Sequence, residues 1–126
     1  MRTLFHAGLV VLFGLGAAGV VIAAPVKVTG VLVDQACYTK DHANTTMAHK
    51  GMSNTCAADC AKKGQPVTLV TDKGEVYEVM PMGNLAGDKN AKLVPHMSHK
   101  VTLTGEVMEM NGKKVIHATE LAMASK

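Results

Sequence analysis

The sequence is poor in aromatic side chains. It has no tryptophan, and both phenylalanines, Phe5 and Phe13, lie in its first 23 residues; Tyr38 and Tyr77 are the only aromatics of that kind beyond them. A chain with so little to stack on bases is not built as a single-strand nucleic-acid reader. Charge of one sign is lacking too. The formal net charge is +3, and +2 without Arg2, too little to recruit a nucleic acid or an anionic membrane surface. Paired carboxylates, a Ser-His-Asp order and a glycine-rich phosphate loop are all missing, so the common hydrolytic and nucleotide-dependent chemistries find no foothold. Cysteine is scarce and odd in number: Cys37, Cys56 and Cys60.

The start of the chain is of another kind. After Arg2, residues 4–24 carry no Asp, Glu, Lys or Arg. A basic start, an apolar run and small residues at Val21 and Ala23 read as a secretory signal peptide, residues 1–23, cut after Ala23. A retained anchor would need a similar length, but glycines interrupt the run and no basic cluster follows it. The expectation is a periplasmic or secreted protein, off the membrane once the signal is removed. Residues 24–126 then form a single domain, with a modest core of Val, Leu, Met and Ala.

Val26 to Asp34 is a strand by its β-branched residues, with a bulge or sharp bend at Gly30. Residues 38–52 lose all periodicity and read as a long loop, a feature often tied to function. Ser53 to Thr55 offer an N-cap for a short helix over residues 56–63, closed by Gly64 and Pro66. Its face carries Cys56, Ala57, Cys60 and Ala61, for either core or ligand. Residues 66–71 and 75–80 flank Asp72-Lys73-Gly74 as a hairpin, and one or two helical turns fit within residues 84–94. From Lys100 alternation returns, Asn111-Gly112 marks a second hairpin, and residues 113–123 form a last strand whose inward face is ambiguous. Five strands with a helical piece between the third and fourth specify a mainly β, OB-like barrel (oligonucleotide/oligosaccharide-binding topology). The short Cys-bearing helix is then inserted between strands one and two, beside the usual ligand face of that fold. A small β-sandwich is the alternative.

The pieces VTGVLVDQAC, TCAADCAKKGQPV, the strand around Tyr77, AKLVPHM and VTLTGEV make the chain resemble a group of small secreted bacterial proteins of unassigned function. That resemblance implies export and an OB-like domain, and marks Asp34, Cys37, Cys56 and Cys60 as typical of the group. Cys56-x-x-x-Cys60 alone also resembles the copper site of exported Sco-type chaperones, without the proline that follows the second cysteine there and without a thioredoxin-like βαβ pattern.

Cysteines of exported proteins tend to pair. Cys56 and Cys60, one helical turn apart, have parallel Cβ directions that suit a disulfide poorly. Cys37 with one of the two is the simpler bridge; it would close a loop of roughly 20 residues and contribute about 3 kcal/mol. One thiol would remain over. A metal site uses all three: Cys37, Cys56 and Cys60 with His49, as Cys₃His does for zinc. Thioether and thiolate favour Cu(I), and eight methionines follow Met1, so copper ranks before zinc. His42, Met47, Met52, His96 and His99 are accessory candidates. Asp34 is either a partner behind a ligating histidine or the first residue of an Asx-type turn. Met80, Met108 and Met110 read as strand packing, and His117 as a surface or half-buried residue.

The resulting expectation is a non-enzymatic binding protein that holds or hands over a soft metal ion. A disulfide-stapled module for a protein or envelope component comes second, and a thiol-redox protein third.

Overall fold

The computed structural model describes residues 23–45 and 56–124. The signal-peptide reading, apart from Ala23, lies outside the described residues, as does the Ser53–Thr55 cap. Among the described residues no helix is long and apolar enough to cross a membrane.

Five strands close into one barrel: β1 (Val26–Asp34), β2 (Val67–Val70), β3 (Val76–Pro81), β4 (Lys100–Met110) and β5 (Lys113–Met123). The order around the barrel is β1-β2-β3-β5-β4, with β3 and β5 parallel and every other pair antiparallel. This is the OB-like arrangement expected, and closure into one barrel disposes of the sandwich alternative.

β1 closes the barrel by serving two neighbours. Val26 to Val31 pair with β4, and Val31 to Asp34 pair with β2. Gly30 sits where the strand passes from one partner to the other. A Cβ there would overlap the Val70 carbonyl oxygen, so the bend needs glycine for close backbone approach and no bulge forms at this point. The bulge lies elsewhere: Thr104 pairs with Glu120 but Gly105 with Ala118, leaving Thr119 of β5 as the extra residue. Ile116 and Ala118 point inward, and after Thr119 the inward position moves to the partly buried Leu121. That shift of phase is why the last strand's inner face is ambiguous in the sequence.

Two turns behave as their residues require. Asn111 (φ 53°) and Gly112 (φ 74°) both take left-handed backbone, the signature of a two-residue type I′ hairpin. Between β3 and β4 the chain makes three short 3-10 turns, Gly83–Leu85, Asp88–Asn90 and Val94–His96. Lys89 and Asn90 at positive φ interrupt any longer helix.

The barrel is filled by Leu32, Val67, Leu69, Tyr77, Val79, Val101, Leu103, Ile116 and Ala118. Ala57, Ala61, Leu93 and Met97 extend the same cluster, so the insertion between β1 and β2 and the segment before β4 together plug one end.

Candidate functional site

The insertion begins with a helix where the sequence suggests the approach to a loop. α1 runs from Gln35 to Lys40 directly after β1. Asp34 is its N-cap: Oδ1 accepts a hydrogen bond of 2.8 Å from the Cys37 N–H. Asn44, buried, donates from Nδ2 to the Cys37 carbonyl at 2.9 Å and fastens the other end. The expected loop therefore starts later than residue 38. Six residues are too few to show helical periodicity, and Asp34 caps the N–H three residues on instead of forming the Asx-type turn expected.

α2 (Cys56–Lys62) matches the expected helix closely. Gly64, at φ 82°, ends it, and the Gln65 N–H returns to the Cys60 carbonyl. Asn90 Nδ2 donates to the carbonyls of Ala61 and Gln65 at 3.1 and 2.9 Å, tying the helix end to the segment before β4. The face with four small side chains divides. Ala57 and Ala61 are buried in the barrel plug, whereas Cys56 and Cys60 are half-buried on its flank.

Among the described residues no disulfide joins Cys37, Cys56 and Cys60. They are nevertheless neighbours. Cys56 is hydrogen-bonding company for both Cys37 and Cys60, and Asp34 acts electrostatically on both of those outer thiols. Burial pushes the Cys37 thiol up to about 12, helped by a hydrogen bond with Asp34, the Asp34 charge and Cys56. Burial also raises Cys60, followed by Asp34 and Cys56, against a small opposing pull from Lys63. Asp34 itself is buried, and its Oδ2 has no well-formed hydrogen bond among the described residues.

Chemically this pocket disfavours negative charge. A thiol held protonated by burial and a neighbouring carboxylate is a weak nucleophile at neutral pH, the reverse of a catalytic cysteine. Among the described residues no three His, Cys, Asp or Glu side chains already stand at the spacing of a metal centre. Of the ligand set read from the sequence, Cys37, Cys56, Cys60 and Asp34 lie on β1, α1 and α2 among the described residues, while His49, Met47 and Met52 lie outside them.

The other histidines are placed individually. His42 is exposed and stacks on Tyr38, with ring centroids 4.8 Å apart at 18°. The segment holding His96 and His99 reaches the expected end of the barrel: Ser98 N–H donates to the Leu32 carbonyl, and Leu32 N–H to that of His99. The turn at Val94–His96 packs against α2. Neither imidazole is among the causes that raise Cys37 and Cys60. Asn44 and Asn90, which anchor the two helices, carry no sequence signal beyond polarity.

Beside α1 a groove of about 380 Å³ runs between Gln35, Thr68 and Glu78 on one side and Gly112, Lys113 and Lys114 on the other. It follows the β2–β3 face and the β4–β5 turn, where OB-like barrels commonly take ligands. Lys114 is fixed there by an ion pair of 2.6 Å to Glu75.

Comparison with protein-family models, with curated proteins and with solved structures gave no significant match.

Proposed function

We propose that the protein binds a soft metal ion, copper before zinc, through Cys37, Cys56 and Cys60, to hold it or hand it on. One observation supports this reading: Cys56 interacts with both Cys37 and Cys60, and the buried Asp34 carboxylate acts on both of those thiols. Burial and the Asp34 charge hold the Cys37 and Cys60 thiols protonated, and a cation would offset the charge left when they ionise. Thiolates in such number select Cu(I) or Zn(II) over hard ions.

The three sulfurs come from two short helices, α1 and α2, which would have to draw them together around an ion. His49 or Asp34 would supply a fourth group. Two helices fixed at their far ends by Asn44 and Asn90 suit a site that loads and unloads, with protons leaving the raised Cys37 and Cys60 thiols as the ion binds. Export to an oxidising compartment belongs to the same reading.

The test is a Cu(I) titration of the reduced protein against a competing chelator, repeated with Cys60→Ser. Binding of one ion that weakens by an order of magnitude or more in the variant supports the proposal. Equal competition by both proteins would remove Cys60 from the site, and no binding by either would leave the stapled-module reading in its place.

A further inference from the structure

Methionine gathers on a second region of the barrel that owes nothing to the cysteines. Met80, Met82 and Met110 are 44%, 45% and 45% exposed. The expectation that Met80 and Met110 serve strand packing therefore fails: their thioethers face outward. β3, β5 and β4 lie side by side here, and the pairing sets Met80 opposite His117 on one flank and Glu106 opposite His117 on the other. Met82 is fixed close by, because its N–H donates to the Ala118 carbonyl at 2.7 Å.

A groove of about 340 Å³ opens at this place, lined by Met82, His117, Glu106 and Thr119, with Pro25 along one wall. His117 is half-buried, and its Nε2 is shielded from solvent with no hydrogen-bond partner among the described residues. A buried polar nitrogen without a partner calls for an explanation. The groups that share its groove are a thioether and a carboxylate, which together with imidazole form a soft, partly anionic donor set.

We propose that this groove is a separate binding site for monovalent copper, with His117 Nε2 and Met82 Sδ as ligands. Glu106 supplies compensating negative charge, and Met80 is a neighbouring thioether for transfer along the face. Nitrogen and thioether donors without thiolate suit Cu(I), whereas hard cations gain little from sulfur. His117 and Glu106 stand on paired strands, and Met82 follows directly on the end of β3, unlike the two helices of the thiol site. No electron transfer is required: the ion enters and leaves in one oxidation state.

The experiment uses the full chain with Cys37, Cys56 and Cys60 all changed to Ser, and Ag(I) as a redox-inert probe of Cu(I) chemistry. Resonances of the His117 ring and the Met82 methyl group are followed by NMR. The expected result is saturable binding of about one equivalent that shifts both signals. Met82→Leu and His117→Gln should each weaken it about tenfold or more, a loss of at least about 1.4 kcal/mol. Glu106→Gln should weaken it less, and Met123→Leu, an exposed methionine outside the groove, not at all. If the triple-serine chain does not fold, the same resonances are read in the wild-type chain and its Met82→Leu variant, where thiol-bound silver reports at other residues. Unshifted His117 and Met82 signals in either background, or equal weakening by Met82→Leu and Met123→Leu, would overturn the proposal. Because the readouts are site-specific, failure here and failure of the thiol site are separate results.

Discussion

Asp34 has two jobs that substitution can separate. Its Oδ1 caps α1 through the 2.8 Å bond to the Cys37 N–H, and its charge raises both Cys37 and Cys60. Asparagine caps helices about as well as aspartate, so Asp34→Asn keeps the first job and removes the charge. Asp34→Ala removes both. The difference between the two variants isolates the cap, at about 1 kcal/mol. For a domain of this size that is a Tm lower by roughly 4–8 °C in Asp34→Ala than in Asp34→Asn. A helix of six residues cannot hold itself without such a contact, so Cys37 should also become more reactive to alkylation in the alanine variant. In Asp34→Asn the thiolate absorbance should appear at lower pH than in wild type, with Cys37 moving further than Cys60 because it loses a hydrogen bond as well as a charge. Metal affinity should fall about tenfold or more, as for other groups that steady a metal ligand. Thermal unfolding by circular dichroism and thiolate absorbance against pH read these effects. Equal Tm in both variants would refute the cap, and an unchanged Cys37 titration in Asp34→Asn would refute the electrostatic account.

Three further outcomes follow from the same structure. Gly30→Ala should destabilise by about 1–3 kcal/mol or more, because its Cβ meets backbone that cannot yield cheaply; a chemical denaturation midpoint equal to wild type would contradict the bend. Asn90→Ala removes both bonds to the α2 end and should cost about 1–2 kcal/mol, with faster hydrogen exchange in α2 than in the strands; uniform exchange would count against an anchoring role. The Cys37 thiol, raised to about 12 from an ordinary 9.0, leaves stability independent of its ionisation below about pH 9, where folded and unfolded chains both keep the proton. Between about pH 9 and 12 the unfolded chain releases a proton that the folded one retains, so stability falls as pH rises. Urea midpoints through that range should decline less steeply in Cys37→Ser; parallel curves would contradict the burial of this thiol.

The regular strands are legible in the sequence because alternation and turn chemistry agree there. Val26–Asp34 and the Asn111-Gly112 hairpin fall where β-branched residues and left-handed turn residues place them. Gly64 and Pro66 likewise delimit α2. What stays hidden depends on partners distant in the chain. The extra residue Thr119 exists only relative to Thr104 and Gly105 of β4. α1 is specified by one cap and by Asn44, not by periodicity. The influence of Asp34 on Cys37 and Cys60 links a strand end with two helices, which spacing alone could not show. Met80 and Met110 mislead because an apolar residue in a strand is usually buried, and these two face outward.

The most direct measurement is the intact mass of the purified, unreduced protein under native and denaturing conditions, with alkylation before and after chelation. The account predicts one bound copper or zinc ion per chain, with all three thiols alkylated only after the metal is removed. A metal-free chain carrying one disulfide and a single alkylatable cysteine would contradict it.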